Sequence, residues 1–525
     1  MAWMTRGMGA ALAASLLALA GCGEEEPEWD GSFTPMDEMG DWQDNGAYAS
    51  CQVKNVNPCG MALESFDLSS CKNSTLKTFQ REGIYRAKLR YEFPSEPGYE
   101  AYVAEGAGSF RFGPDGNPMS LHGLATTDGL ANEQMFIATA LRTDNARRQF
   151  AYTLAGCEAP TIRTLTGCFT TCVDGEPVYR GTFIAERMTW GRSEPESSGD
   201  FKPISESFVE LGHPVDIYVA KDHAYVVSVS QNGEAGGLTV FDVRDRKHPI
   251  FKSSISIPGD NYWNGVWAKG DALYVASADT GLVVFDITNP GQPEFLRSLP
   301  GNESMDVHTV LVDGDRLYAM SPSHRTTYIY DVTSPLAPVL LGHYRLNGQG
   351  YPHDAFAYGG RLYVSHTQGG YQVLDVTDPS NVRLLGGYSF PGNYAHHSAV
   401  GTIKGQTIAF EGGERMGSHV RVLKVDDPKN IVKIGEFKLR DVTSVHNMLL
   451  VGSRLYIAWY QEGVRVLDVS NPTKLKHIAH FNTFRDTDTA SGDGMYEGVL
   501  GIRVPGDGHV YAVDDVRGLL IFQEP

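Results

Sequence analysis

Cysteine is missing from most of this chain. All seven cysteines of the 525 residues lie at or before Cys172. The long region that follows has no disulfide staples, so its fold must close through packing and hydrogen bonds alone. Long apolar runs are scarce as well. Beyond the first 22 residues no segment approaches the ~20 apolar residues of a membrane-spanning helix. Positive charge is in deficit: 44 Lys and Arg stand against 63 Asp and Glu, a net charge of −19 at pH 7. That balance argues against nucleic acid as a partner, and it suits solubility and cation binding. No G-x-S-x-G elbow, Walker loop, dinucleotide glycine fingerprint or H-E-x-x-H pair occurs. The mechanisms those motifs carry therefore have no foothold here.

What is present begins with a targeting segment. Arg6 supplies a short basic region, and Ala10 to Ala20 an apolar stretch too short to cross a bilayer. It runs into Leu19-Ala20-Gly21-Cys22, which resembles the lipobox of bacterial lipoproteins. The resemblance implies loss of residues 1–21 as a signal peptide and acylation (palmitate among the acyl groups) of the Cys22 thiol. It also implies a bacterial cell-envelope protein whose membrane partner is reached through that lipid. Gly23, where Asp favours inner-membrane retention, points to the outer membrane, on its periplasmic face or at the cell surface. The six other cysteines, Cys51, Cys59, Cys71, Cys157, Cys168 and Cys172, read as three disulfide bonds of an exported domain, with their pairing left open.

The composition divides the chain further. Residues 22–46 (EEEPEWDG, MDEMGDWQDNG) read as an acidic, solvated tether. Residues 47–192 hold short strand-like runs around turns such as GPDGNP, and predict a small disulfide-stapled β-sandwich or barrel. Residues 193–203 (SEPESSGDFKP, from Ser193) read as a linker.

From 204 to 525 one phrase recurs: LTVFDVR, LVVFDIT, TYIYDVT, YQVLDVT, VRVLKVD, VRVLDVS and LLIFQEP. Its key position is held by Asp242, Asp286, Asp331, Asp375, Lys424, Asp468 and Gln523, and most spacings are 44 or 45 residues. Four short strands per period predict an all-β, seven-bladed β-propeller. The aspartates end third strands, where a carboxylate accepts backbone N–H groups of the following turn. Ser207 to His213 matches the fourth strands of other repeats, and is expected to complete the last blade and close the ring. The D-V-[ST]-[DN]-P turns resemble the LVIVD-repeat family, most clearly in blades two, four and six. That resemblance implies a propeller, often exported in bacteria, and no single activity.

Alignment on the repeat exposes one position with chemistry. Nine residues before Leu317, Leu362 and Leu455 stand His308, His353 and His446; blade five offers His396 and His397, of which His397 is taken as the equivalent. Asn264, Glu497 and the Val215-Asp216 pair occupy the place in the other blades. First strands line a propeller's channel, so these residues form a ring at one height. Imidazoles converging on an axis make a site for Fe, Cu or Zn. Seven-bladed carotenoid oxygenases hold iron with four inner-strand histidines, an analogy of arrangement without a sequence match. The alternative is that each histidine bonds within its own blade. Beside the ring, Tyr262, Trp263, Tyr351, Tyr394 and Tyr496 suit a protein, small-molecule or glycan ligand at the mouth, or else pack between blades. Asp486, Asp488 and Glu497 resemble the first, third and last positions of an EF-hand loop. Ala490 and Ser491 break that pattern, so calcium is not expected.

The leading expectation is thus an envelope binding scaffold. The alternative is a metal-dependent oxidoreductase or lyase with His308, His353, His397 and His446 as ligands and Glu497 as acid/base or fifth ligand.

Overall fold

The computed structural model describes residues 28–525 apart from 55–62, 96, 192–193, 195, 199, 232, 302–304 and 489. The signal segment, Cys22 and Cys59 lie outside the described residues. The regular secondary structure among the described residues is all β, apart from three short 3-10 turns.

The N-terminal domain resolves as a barrel rather than a sandwich. Eight antiparallel strands run from Ile84–Phe93 to Glu176–Arg187, and the last pairs with the first (Phe183 opposite Leu89), leaving no free edge. Phe79, Tyr85, Phe110, Phe112 and Phe136 pack edge-to-face in its core. Disulfides Cys51–Cys168 and Cys71–Cys157 tie the preceding segment to the wall, and Cys172 is disulfide-bonded as well.

The C-terminal region forms seven four-stranded sheets, the seven blades. Their second and third strands are buried almost throughout. The repeated aspartates do the turn work expected of them. Asp286, Asp331, Asp375 and Asp468 accept the N–H two residues on, at 2.7, 2.8, 3.0 and 2.8 Å. In blade five Lys424 pairs with Asp426 (2.9 Å), and Asp427 caps the turn instead.

The ring closes as expected, but with an earlier segment. Pro203–Ser207 pairs with Gly518–Gln523, Pro203 opposite Phe522 and Ser207 opposite Leu519. The expected strand, Ser207 to His213, is instead a crossing. Phe208 points to solvent at 70% exposure, Gly212 takes a positive φ of 40°, and His213 already starts blade one. The linker stretch is not free either: Ser198 N–H donates to His480 O (3.1 Å) and Asn482 N–H to Glu196 O (2.7 Å) on blade six.

The acidic stretch departs most from expectation. Residues 28–46 keep much of their surface in water but are not a free tether; they lie as an arm along blade five. Glu38 and Asp41 are buried against Arg421, which is 0% exposed and is also faced by Glu411. A guanidinium with five fixed donors satisfies several carboxylates at once, so acids that look hydrated in the sequence become buried partners. Barrel and propeller also touch directly. Ser109 Oγ and Gly123 N–H donate to Asp493 Oδ2 (both 3.1 Å), and Trp190 N–H to Phe484 O (2.8 Å).

Candidate metal centre

Three histidines sit at one equivalent place. His308, His353 and His446 each stand at or just before their blade's inner strand. Their N–H groups bond to second-strand carbonyls of Met320, Ser365 and Ala458 (2.8, 2.8 and 3.0 Å). This equivalence sets their common height. Blade five adds one residue: Ala395 pairs with Gly413 and His397 with Gly412, so His396 bulges between them. A bulge re-aims a side chain. Here it sends His396 into the ring, where His397 was expected.

The imidazoles meet edge to edge. His308 Nε2 is 3.0 Å from His353 Nε2, and the ring centroids of His353–His396 and His396–His446 stand 4.1 and 4.6 Å apart. A carboxylate that the repeat alignment did not flag lies against them. Glu414 Oε1 is 3.5 Å from His396 Nε2 and 3.7 Å from His446 Nε2, and its Oε2 is 3.9 Å from His353 Nε2. Ligand atoms about 2.1 Å from one ion stand about 3.0 Å apart at right angles and about 3.4 Å apart in a tetrahedron. The measured separations bracket those values. Glu414 follows the strand Gln406–Gly413, in a blade whose repeat spacing is 49 residues (375 to 424) rather than 44. That lengthening was the one sequence signal for it.

Protonation states favour a cation. Burial holds His308 and His446 down at about 4, and His353 and His396 well below the ordinary imidazole value, so all four are neutral at pH 7. His446 Nδ1–H donates to Leu500 O (2.6 Å), leaving Nε2 as its lone pair. Both ring nitrogens of His396 and Nδ1 of His353 are buried without a hydrogen bond. Burial also raises the Glu414 carboxyl to about 7, against the hydroxyl of Tyr460 that donates to it. Buried polar atoms without partners are costly and uncommon. The Nε2 atoms of His353 and His396 both face Glu414, and two imidazoles with a carboxylate are a donor set that fits a first-row metal ion.

The other expected residues divide. Asn264 donates Nδ2 to His308 Nε2 and to its carbonyl (3.2 Å each), orienting that ring. His397 occupies a second layer below, with Nε2 3.5 Å from Asp354 and Nδ1 near the Met448 N–H (3.4 Å). Asp216 lies in the same layer, accepting from Val266 N–H (3.0 Å). Glu497 lines the cavity but is engaged by its own loop, with Gly492 N–H (3.3 Å) and the Asp515 carboxyl. Glu414, rather than Glu497, is the carboxylate that stands against the imidazoles. Trp263 is not at the mouth at all. It is fully buried in the blade core against Phe285, its Nε1 donating to Asp260 (2.6 Å). Asp486, from the stretch that resembles an EF-hand loop, faces Arg187 (3.8 Å).

Tyrosines do form the mouth. Tyr351 and Tyr394 join hydroxyls at 3.2 Å, and Arg415 stacks on Tyr394 at 5.1 Å. Tyr460, absent from the sequence reading, packs between His446 (4.6 Å) and Tyr496 (5.8 Å). Tyr262 and Tyr496 remain exposed. Below them a cavity of about 600 Å³ descends past Val310, Leu311 and Phe356. It reaches Arg503, wedged between Tyr218 and Trp267 at 4.8 and 4.7 Å. This is a concave, largely apolar site with a few convergent polar groups, the usual form of a small-molecule pocket.

Fold and site define a seven-bladed propeller with a polar cluster on its axis. The model of the LVIVD repeat matches residues 262–299, 349–389 and 444–483, which are blades two, four and six. The chain therefore carries LVIVD repeats in a propeller arrangement, where the sequence resemblance is clearest. No curated protein matches it. Among solved structures, the WD40 β-propeller domain of Doa1 is 10% identical with a TM-score of 0.47, covering 62% of this chain and 98% of that one. The computationally designed Ika8 protein is 11% identical with a TM-score of 0.40, covering 62% and 100%.

Proposed function

We propose that this chain is a cell-envelope lipoprotein whose propeller channel holds one Fe, Cu or Zn ion. Through it the protein acts on a small organic ligand as a metal-dependent oxidoreductase or lyase. The observation that carries this reading is the cluster of His353, His396 and Glu414, whose ligand atoms all lie within 4.8 Å of one another. His308 and His446 flank it. Such an ion supplies Lewis-acid or redox chemistry. The tyrosine mouth admits and orients the ligand, and the apolar shaft beneath accommodates its body. The propeller by itself fits a binding role; the unpartnered imidazoles favour more than a scaffold. The barrel's disulfides support an oxidising compartment.

The test is metal content. Protein purified from metal-replete cells carries near-stoichiometric metal, and His353→Ala or Glu414→Ala loses most of it with an unchanged fold. Metal-free wild-type protein that also binds none of the three ions on titration sinks the reading.

A further inference from the structure

The arm gives the site a direction. Its contacts climb blade five from one rim to the other. At the rim far from the channel mouth, Lys404 pairs with Glu28, and Gln406 Nε2 donates to Gly31 O (2.8 Å). Just above that rim, Met36 N–H donates to Lys433 O (2.9 Å), and Phe33 packs against the core between blades five and six. Near the mouth, Glu38 and Asp41 hold Arg421, and Ser418 Oγ donates to Asp41 Oδ2 (2.6 Å). Beyond the mouth, Asp44 pairs with Arg90 (2.6 Å) and Tyr48 N–H reaches Thr182 Oγ1 (3.0 Å) on the barrel.

The inner strand Ala395–Ile403 measures the distance between those rims. It starts beside His396 and ends at the turn that holds Glu28. Its nine residues rise about 26 Å at ~3.3 Å per residue. Cys22 precedes Glu28 by six residues, and six extended residues reach at most about 20 Å.

We infer that the arm seats the propeller with its Glu28 rim on the membrane and its histidine mouth facing away into water. This rests on the lipid-anchor reading of Cys22 and is independent of the metal. The partner of the far rim is then a lipid surface. The channel's ligand is then one that arrives dissolved, at the mouth where Tyr262 and Tyr496 are exposed. The buried Arg421 cluster makes the arm a fixed strut in place of a leash.

Energy transfer in vesicles tests it. The full chain, processed with its own leader, is reconstituted into phosphatidylcholine–phosphatidylglycerol vesicles containing an acceptor-labelled lipid. A donor dye is placed at Lys247→Cys on the Glu28 rim or at Asn347→Cys on the mouth rim; both positions are exposed. At least twofold greater transfer from Lys247→Cys is expected. In a Glu38→Gln, Asp41→Asn background the ratio falls toward one. Wild-type protein that fails to float with vesicles, or floats equally as Cys22→Ser, overturns the anchor and the orientation with it. Anchored protein with equal or reversed transfer overturns the orientation alone. A ratio unaffected by the arm substitutions overturns the arm as its cause. None of these readings depends on metal.

Discussion

The two ends of the propeller are built from the same repeat and are satisfied differently. At the Glu28 rim each repeated aspartate meets a backbone N–H of its own turn, at 2.7–3.0 Å in four blades. At the mouth rim His353 Nδ1 and both ring nitrogens of His396 are buried without a hydrogen bond. A polar residue that recurs and is paired at every recurrence serves the fold. One left buried and unpaired, as His396 is, costs the fold. The arm belongs to the first kind, since its acids are spent on Arg421 and Lys433.

The comparison breaks first, and with the largest effect, at Arg421. Arg421→Met leaves Asp41 and Glu411 buried without the guanidinium and Glu38 with Lys433 alone, and removing one partner of such a cluster costs about 3–5 kcal/mol. Denaturant unfolding should show that loss while metal content is unchanged. An effect below about 1 kcal/mol would place the arm among ordinary surface ion pairs. Acid probes the same cluster. Burial raises the Asp41 carboxyl, but the His419 hydrogen bond and the Arg421 charge outweigh it, so its value falls below the ordinary 3.8; Glu38 is lowered likewise. A lowered carboxyl contributes stability that is complete above its unfolded value and lost as pH falls through the folded one. Glu411 has the opposite sign, because burial lifts it to about 7. The cluster should therefore gain stability as pH falls from above 7 toward 4.5, then lose it below about 4. Wild-type melting curves across pH read that bell, and their difference from Asp41→Asn reads its acid limb. A flat difference removes Asp41 from the latch.

The mouth should respond in the reverse sense. Replacing His396 by Phe removes two orphaned nitrogens and keeps the ring's bulk, so the metal-free protein is expected to be unchanged or about 1 kcal/mol more stable. Metal at a hundredfold excess over its Kd should stabilise wild type by about 2.7 kcal/mol and the variant by almost nothing. A His396→Phe protein that melts lower than metal-free wild type would make the histidine structural, and would return the ring to the same kind as the aspartates.

The sequence showed these two ends unevenly, for physical reasons. The Asp turns are local, each bond closing over two residues, so their register was legible and so was the blade count. The ring position followed from that register at His308, His353 and His446. The choice of His396 over His397 did not, because a bulge is decided by the pairing of Ala395 with Gly413. Glu414 lies in the lengthened mouth loop of blade five, and Tyr460 at a turn position that carries Thr367 in blade four, so neither residue type recurs for an alignment to single out. The arm's acids read as hydrated because their partners, Arg421 and Lys433, are brought near only by the closed ring. The same long range hid the true closing strand, Pro203–Ser207, behind a better-patterned neighbour.

The smallest expected effect sharpens the contrast most. Asp375→Ala removes the acceptor for the Thr377 N–H and hydroxyl and a partner of Arg383. The site is exposed to water, which takes over those hydrogen bonds, so the loss should be about 1 kcal/mol, the usual worth of such a cap. Six other blades remain, and the ring is closed by pairing between Pro203–Ser207 and Gly518–Gln523, so unfolding should stay one cooperative step with a lower midpoint. Metal content should be untouched, because the turn sits at the rim away from Glu414. If Asp375→Ala instead lowered metal binding, the blade would be transmitting strain from rim to mouth, and the two ends would be coupled parts of one device.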